Sequence, residues 1–308
     1  MTVSDAALAE LFTEHRTHLL GVAYRLTSTL SDAEDAIQEA WLRLSALDSE
    51  SRADIRDLRG WLTTVVGRIC LDRLRSAAVR RERYVGPWLP EPVITPFGAP
   101  TSEDPLDVIV RDDGVRMAAL VVLDKLTPEQ RVAFVLHDAF GVPFSEIAAT
   151  LNCSDATARQ HASRGRRAAA EADPPPRAAL ADQSAVIQAL VAALAEGDLA
   201  KVVDLLHPDA VLIGDSDGKA RTARNLVVGP DNIARFLLGL LRMYGTGSLT
   251  AGEPVLANGD IAVALPDIPS DGEHREVTRR VTAFAFRDGK VVAIYDVVNP
   301  DKLTRYPR

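Results

Sequence analysis

The sequence predicts a multidomain protein in which two all-α domains precede an α+β half-barrel. Helical hydrophobic periodicity dominates the first half of the chain. A proline-rich stretch interrupts that periodicity, and the hairpin signals Asn258-Gly259 and Asp288-Gly289 mark a sheet near the C-terminus. The predicted domains are 1–84, 114–172 and 184–308, and the predicted linkers are 85–113 and 173–183.

Length and composition are consistent with this division. The chain has 308 residues, of which 47% are hydrophobic and 25% charged, as in globular proteins with two or three domains. No apolar run approaches the ~18 residues of a membrane span, and the N-terminus lacks a secretion signal, so we expect a cytoplasmic protein. Cys70 and Cys153 have no Cys or His at metal spacing, so neither a disulfide nor a zinc site is expected. Both are expected to be small buried residues.

Residues 5–30 have helical spacing, and Ser31 with Glu34 predicts a capping box at the start of a second helix. The apolar stripe of that helix contains Ala33, Ala36, Ile37, Ala40, Trp41 and Leu44. Leu42 falls on the opposite, acidic face. It is either a scattered exposed leucine or part of a contact surface.

Charge is distributed unevenly in this first domain. Residues 1–50 carry a net charge of −6, whereas 51–83 contain nine arginines and four acidic residues, a net charge of +5. The polar stretch 47–57 predicts a loop, and Arg59-Gly60-Trp61 opens the basic helix that follows. The asymmetry favours one basic protein partner and one polyanion over ordinary surface variation.

The segment 84–113 contains six prolines, which predict a semi-extended linker unable to form a helix or the interior of a sheet. Trp88 and Leu89 would expose much apolar area in a solvated linker, so we expect this part to dock on a surface.

The second helical domain contains a helix-turn-helix pattern. Thr127 and Gln130 predict a capping box, and the short turn 152–154 separates two helices. In the second of these, small residues form one stripe, and the residues on the other side could read base edges in a DNA groove. A helical hairpin with a hydrated basic face is the alternative. The stripe comprises Ala158, Ala162, Gly165 and Ala169, and the opposite side comprises Gln160, Ser163, Arg164 and Arg167.

In the third domain, two helices precede a strand at 210–215, a further helix spans 229–244, and a hairpin-connected antiparallel sheet follows. The sheet of such a half-barrel curves around a conical interior, called the cone below. Acid–base chemistry in the cone could use several side chains, but no spacing singles out a pair. Asp215-Ser216-Asp217-Gly218 could equally be a turn. The candidates are His207, Asp215, Asp217, His274 and Asp296.

Several motifs carry a family resemblance. DAEDAIQEAWLRL followed by GWLTTVVGRICLDRLR resembles region 2 of the extracytoplasmic-function (ECF) sigma factors of bacterial RNA polymerase, and the helix-turn-helix resembles region 4. Residues 178–308 resemble the SnoaL-like, NTF2-like fold. Sigma factors of the sigma-J type combine these domains and share WLPEP, a DGGGK-like turn and NPDKL. Here WLPEP and NPDKL are intact, whereas the turn reads DSDGK.

The resemblance implies a promoter-specificity subunit rather than an enzyme, without cofactor or metal and monomeric when free. Its partners would be core RNA polymerase and promoter DNA, with no membrane. The acidic helix would bind polymerase through Asp32, Asp35, Gln38, Glu39, Leu42 and Arg43. The loop and basic helix would contact the −10 element through Arg52, Asp54, Arg56, Arg59, Trp61, Arg68, Arg73 and Arg75. The −35 element would meet Arg159, Gln160, Ser163, Arg164, Arg166 and Arg167.

The resemblance further implies that the SnoaL-like domain tunes activity in cis, because tethering gives it a high effective concentration. The interdomain residues would be Trp88, Leu89, Pro90, Glu91, Pro92, Asp215, Gly218, Lys219, Asn299, Pro300, Asp301, Lys302 and Leu303. Two alternatives remain open: a polymerase-independent helix-turn-helix regulator with a ligand-binding cone, and an enzyme fused to a DNA-binding module. An unidentified small ligand in the cone is compatible with each.

Overall fold

The chain forms two compact units. The computed structural model describes residues 5–81, 83–98 and 104–306, without the side chains of 5, 6 and 78–81. The first unit comprises Met1–Glu82, Thr101–Val115 and Ala119–Pro174, and the second comprises Arg83–Pro100, Arg116–Ala118 and Pro175–Arg308. Both predicted helical domains thus lie in the first unit, and most of the described proline-rich linker belongs with the C-terminal domain.

The first unit is helical, as predicted. Its helices are α1 (Asp5–Thr27), α2 (Leu30–Ser45), α3 (Ser49–Ala53), α4 (Leu58–Arg81), α5 (Pro105–Ile109), α6 (Met117–Leu123), α7 (Pro128–Phe134), α8 (Phe144–Leu151) and α9 (Asp155–Ala172). A π-helical turn, Val135–Ala139, follows α7. The first two residues of α6 belong to the second unit.

The predicted capping box at Ser31 and Glu34 is wrong. Ser28 has a left-handed φ of 59° and breaks the chain between α1 and α2. The N-cap of α2 is Thr29, which makes no side-chain hydrogen bond to the backbone. Its hydroxyl instead donates to the Asp32 carboxylate at 2.8 Å. Leu30 is buried in the core, so the N-cap lies two residues before the predicted one.

The prediction of an irregular loop at 47–57 is wrong in its middle. Helix α3 forms there because Asp48 is an N-cap, and its carboxylate accepts the Ser51 N–H at 2.8 Å. The linker prediction also fails at α5, where Asp104 caps the helix and Pro105 occupies its first turn.

The helix-turn-helix prediction is confirmed. Thr127 and Gln130 form both hydrogen bonds of the capping box. Helix α8 ends at Asn152, in the left-handed conformation, and Ser154 caps α9. Gly165 on α9 has no room for a side chain, because an added Cβ would lie 2.7 Å from the Phe134 Cβ. The stripe of small residues therefore allows α9 to pack closely on α7.

The second unit is built on a seven-stranded mixed sheet with the order β1-β4-β5-β6-β7-β2-β3. The strands are β1 (Ile94–Pro96), β2 (Leu206–Asp215), β3 (Val227–Val228), β4 (Glu253–Ala257), β5 (Asp260–Leu265), β6 (Arg280–Arg287) and β7 (Lys290–Val297). The expectation of an antiparallel sheet fails at one pair, since β2 runs parallel to β7. Both predicted hairpin turns are present, with positive φ at Asn258, Gly259, Asp288 and Gly289.

Helices α10 (Leu180–Glu196), α11 (Leu199–Leu205), α12 (Pro230–Tyr244) and α13 (Gly247–Thr250) complete the second unit. Helix α10 begins inside the predicted linker 173–183, because Gln183 is buried and bonds to the sheet. Its amide accepts the Ile261 N–H at 2.8 Å and donates to Asp260 at 3.0 Å. The linker residues 94–96 also join the sheet, as its edge strand β1.

Candidate functional sites

The acidic face of α2 is held to the basic helix α4 by one arginine. Arg73 lies 3.1 Å from the carboxylate of Asp32, 3.4 Å from that of Asp35 and 3.9 Å from that of Glu39. A residue expected to contact DNA thus pairs with residues expected to contact polymerase. Leu42 on the same face is 58% exposed and available to a partner.

A basic cleft lies at the start of α4. This cleft is a cavity of about 480 Å³ lined by Arg43, Asp54, Ile55, Arg56, Asp57, Gly60, Trp61, Thr64, Val65, Arg68 and Glu146. Four of these residues belong to the predicted −10 site, and Arg43 belongs to the predicted polymerase site. The combination of guanidinium groups with an aromatic side chain suits single-stranded nucleic acid, which offers phosphates and base faces.

Helix α8 contributes to the wall of the basic cleft. The Thr64 hydroxyl donates to the Glu146 carboxylate of α8 at 3.0 Å. Arg68 donates to the Ala149 carbonyl at 2.9 Å, and further along α4 Arg75 donates to Glu129 at 2.9 Å. Polar groups of the basic helix are therefore engaged within the first unit, where nucleic acid would compete with them.

The remaining predicted −10 residues lie outside the cleft. Arg52 donates to the Ser45 carbonyl at 2.5 Å. Arg59 lies 2.9 Å from Nδ1 of His18, whose Nε2 is 2.8 Å from the Thr63 hydroxyl. Burial, followed by the charge of Arg59, lowers the pKa of His18 to about 4. This imidazole is therefore neutral at neutral pH.

The outward face of α9 carries all the predicted −35 residues, and each is exposed. Three of its arginines have intramolecular partners. Arg159 lies over the Phe144 ring, Arg166 is 2.7 Å from Asp138, and Arg167 is 2.7 Å from Glu171. Gln160, Ser163 and Arg164 make no such contact with the described residues, so they can meet base edges without breaking a bond.

A buried carboxylate holds the WLPEP segment in the second unit. Asp215, at the end of β2, is fully buried. It accepts hydrogen bonds from the Tyr84 hydroxyl at 2.5 Å, the Leu89 N–H at 2.6 Å and the Lys302 ammonium at 2.6 Å. Asn299 donates to the Tyr84 hydroxyl at 2.8 Å. We call Tyr84, Trp88, Leu89, Asp215, Asn299 and Lys302 the linker dock.

Lys302 is the centre of the linker dock. Its ammonium also donates to the Leu89 carbonyl at 2.5 Å and lies 3.9 Å from the centroid of the Trp88 ring. Burial, and then the hydrogen bond to Asp215, raise the pKa of Tyr84, which keeps the phenol protonated. Leu89, Pro90, Glu91 and Pro92 are buried. The WLPEP segment is therefore packed within the second unit rather than solvated.

The turn after Asp215 lies beside the dock. Asp217 and Gly218 have φ values of 50° and 70°, so an aspartate replaces one glycine of the DGGGK-like turn without preventing it. Lys219 lies 2.5 Å from Asp301 and 3.2 Å from Asp217. Of NPDKL, Asn299, Lys302 and Leu303 are buried, whereas Pro300 and Asp301 are exposed.

A second anchor, Arg116, was not predicted from the sequence. Arg116, just before α6, is buried and donates to Asp260 at 2.7 Å and to the Pro175 carbonyl at 2.6 Å. Nothing in the local pattern distinguishes Arg116 from the many surface arginines. Tyr84 was also missed, although its position next to the proline-rich stretch is a weak signal.

The candidate acid–base residues of the third domain are dispersed. Asp215 belongs to the linker dock, and His274 pairs with Asp271 at 2.9 Å. His207 lies 3.7 Å from Asp209. Only Asp296 lines the cavity of the cone. Among the described residues, no cluster of His, Cys, Asp or Glu suits a metal ion. Cys70 is buried as expected, whereas Cys153 is only partly buried.

Comparisons with known proteins follow the same division. Residues 11–80 match Sigma-70 region 2, residues 116–168 match Sigma-70 region 4, and residues 187–294 match the SnoaL-like domain. These matches define the class: a Sigma-70-type transcription factor with a C-terminal SnoaL-like domain.

Whole-length relatives identify the family. The chain is 50% identical over 298 residues to the ECF RNA polymerase sigma factor SigJ of Mycobacterium tuberculosis, covering 95% of this chain and 92% of that protein. It is 31% identical to the probable ECF sigma factor SigI of the same species, covering 94% of this chain and 92% of that protein. The crystal structure of M. tuberculosis SigJ matches with a TM-score of 0.81 and 46% identity, covering 97% of this chain and 99% of that chain. This chain belongs to the ECF RNA polymerase sigma factors.

Members of this family bind core RNA polymerase and promoter DNA. The function of the chain is therefore promoter-directed transcription initiation. In the part of the chain that the structure describes, no helix is long and apolar enough to cross a membrane.

Proposed function

We propose that this sigma factor reads promoters with the basic cleft and the outward face of α9, and that the linker dock sets how readily it does so. The polymerase would bind the exposed part of the α2 face around Gln38 and Leu42. The cleft would take the unpaired −10 strand, and α9 would read the −35 element in the major groove. The site of action would be the cytoplasm, with the free protein a monomer.

The observation that carries the regulatory part is the burial of Asp215. Groups distant in sequence, from the linker, the end of β2 and the NPDKL segment, converge on this carboxylate. A buried carboxylate that loses such partners is strongly unfavourable, so docking of the linker is cooperative. We infer that the dock restrains the chain that connects region 2 with region 4.

We propose a non-catalytic role for the SnoaL-like domain. Its candidate acid–base residues are distributed among the dock, exposed ion pairs and one cavity wall, and general acid–base catalysis requires groups that converge on one reacting atom. An unidentified small ligand in the cone is compatible with this role.

Run-off transcription with reconstituted core polymerase tests the proposal. Asp215→Asn removes the charge at the dock, and we expect the transcript yield from a cognate promoter to change at least threefold. Asp301→Asn is the matched control, because Asp301 is exposed and pairs only with the exposed Lys219. Deletion of residues 178–308 should alter the yield in the same direction as Asp215→Asn.

Two results would contradict the proposal. Unchanged yield from both Asp215→Asn and the deletion would remove the regulatory role of the domain. Failure of the intact chain to associate with core polymerase would remove the proposed roles of the cleft and of α9 at a promoter.

A further inference from the structure

The cone of the second unit contains a cavity of about 160 Å³ that is partly open to solvent. Its wall is mainly apolar and comes from α10, α12 and the sheet, with Leu190, Leu237, Leu241, Phe284 and Ile294 among the lining residues. A cavity of about this size can admit a molecule as large as benzene. The cavity therefore has room for about one substituted six-membered ring.

One end of the cavity is polar. Arg280 and Asp296 line it, their side chains are 6% and 10% exposed, and 3.3 Å separates them. The opposite charges of this buried pair compensate each other. A ligand that carries a full charge of its own would have to be desolvated without a counter-charge, which is unfavourable. The charge balance therefore favours an uncharged ligand.

Arg280 has N–H groups left to donate, whereas the acceptor positions of Asp296 are largely used. Arg280 donates to Asp296, to the Thr278 carbonyl and to the Arg221 carbonyl, at 3.3, 3.3 and 3.4 Å. A guanidinium has five N–H groups, and these bonds are long. Asp296 is better satisfied, since Thr222 donates to it at 2.6 Å and Thr282 at 3.2 Å. A ligand oxygen that accepts from Arg280 fits this arrangement.

The same polar end is joined to the linker dock by one loop. The loop 216–223 leaves Asp215 in the dock, and Gly218 then lies against Val85, with an added Cβ 3.3 Å from that side chain. The loop ends where the Arg221 carbonyl and the Thr222 hydroxyl bond to the cavity pair. An added Cβ on Gly214 would lie only 2.2 Å from the Thr222 hydroxyl, so this end of the loop is packed tightly against β2.

We infer that the cone binds a small, mainly apolar, uncharged molecule with one acceptor oxygen on Arg280, and that binding alters linker docking through the loop 216–223. The inference rests on the proposed function of the dock. An oxygen bound to Arg280 would share the guanidinium with the Arg221 carbonyl, whose bond is long at 3.4 Å and is therefore easily altered. The ligand then shifts the docking equilibrium to the extent that its affinity differs between the docked and undocked chains.

Three probes of similar shape test the chemistry on the full-length protein. Acetophenone has the ring and an uncharged acceptor, ethylbenzene lacks the oxygen, and benzoate adds a charge. We expect calorimetry to give a dissociation constant of about 1 mM or tighter for acetophenone, as expected for a ligand of this size. Ethylbenzene and benzoate should bind at least threefold more weakly.

Two variants locate the site. Leu237→Trp fills the cavity and should abolish acetophenone binding, whereas Leu226→Trp introduces the same side chain at a half-exposed position that does not line it and should bind normally. Arg280→Lys keeps the charge opposite Asp296 but has fewer donors, so it should lose the preference for acetophenone over ethylbenzene. Binding that is unchanged in Leu237→Trp, or absent from the wild-type chain, would overturn the site.

Hydrogen exchange tests the coupling. Acetophenone at saturation should change the exchange rate of amides in residues 84–93 at least twofold, and should not do so in Leu237→Trp. Binding without any change at 84–93 would overturn the coupling. These outcomes are separate from the transcription test, because a failure of Asp215→Asn to alter transcription would remove the dock's role and leave the measured binding intact.

Discussion

Two ion pairs, one from each unit, differ in how deeply they are buried. In the first unit, Arg75 and Glu129 join α4 to α7 with side chains that are 49% and 29% exposed. In the second, Lys302 and Asp215 form a pair whose side chains are 7% and 0% exposed. Exposed pairs contribute at most about 1 kcal/mol and are screened by salt, whereas breaking a buried pair leaves an uncompensated charge. The exposed pair can therefore exchange one partner for another charged group at little cost. The buried pair is instead kept or lost together with the rest of its contact.

The largest expected effect comes from breaking the buried pair. Lys302→Met leaves the buried Asp215 carboxylate without its counter-charge, so we expect the free energy of unfolding of the second unit to fall by about 3–5 kcal/mol. Denaturant unfolding followed by circular dichroism measures this change. Lys219→Met is the matched control, since its ammonium is 41% exposed and its loss should cost less than about 1 kcal/mol. Equal effects of both variants would contradict the distinction between buried and exposed pairs.

The next effect concerns two exposed arginines of α9. Arg164 has no intramolecular partner among the described residues, whereas Arg167 lies 2.7 Å from Glu171. If Arg164 bonds a base bidentately, Arg164→Ala should weaken binding of holoenzyme to the −35 element by about 1–3 kcal/mol and relax the preference for that base. Arg167→Ala should weaken all sequences alike. A loss from Arg164→Ala that is the same for every base substitution would identify a phosphate contact instead.

Protonation of His18 gives a third test. This side chain is partly buried, and so lies between the exposed pair and the buried pair in its access to water. The folded-state pKa of His18 is lowered from 6.5 to about 4, with burial the first cause and Arg59 the second. The unfolded state therefore binds the proton more readily, and the unfolding free energy of the first unit should fall as the pH falls from about 6.5 to 4. His18→Gln should flatten this part of the profile, whereas His15→Gln, which removes only the third-ranked cause of the shift, should leave most of it in place. A profile that His18→Gln does not alter would contradict the assignment.

The smallest effect is expected in the basic cleft. Glu146→Gln removes a negative charge from a cleft where single-stranded DNA would bring phosphates, so the affinity for a −10 single strand should rise by about 0.5–1 kcal/mol. Fluorescence anisotropy at low and high salt measures this, and the gain should shrink as salt increases. Glu10→Gln, an exposed change of equal charge on α1, is the control. An equal gain from Glu10→Gln would show that net charge alone is responsible.

Local chemistry made much of the fold predictable. The capping box at Thr127, the hairpin turns at Asn258 and Asp288, and the small-residue stripe on α9 depend on neighbours in sequence or on helical period. The start of α2 was misplaced because the burial of Leu30, a tertiary effect, decides it. The parallel pairing of β2 with β7 was missed for the same reason, since register between distant strands leaves no local signal.

The functional sites were also predictable only where local sequence decides them. The arginine-rich helix and WLPEP were recognisable as motifs, but their contacts were not. Arg73 pairs with Asp32 across two helices, and Arg116 finds Asp260 across 144 positions of sequence. Tyr84 joins Asp215 across 131 positions. Pairings at such separations depend on the fold, and only residues already known as motifs could be anticipated.

The stacking of Lys302 on Trp88 has a practical consequence. The ammonium lies 3.9 Å from the centre of the indole ring, and a positive charge at that distance perturbs its electronic states. Departure of the WLPEP segment into water would remove this charge and change the solvation of the indole together. The indole of Trp88 is thus an intrinsic fluorophore at this contact. In a variant without Trp41 and Trp61, the other two tryptophans of the chain, its emission would follow the opening in real time without any attached dye.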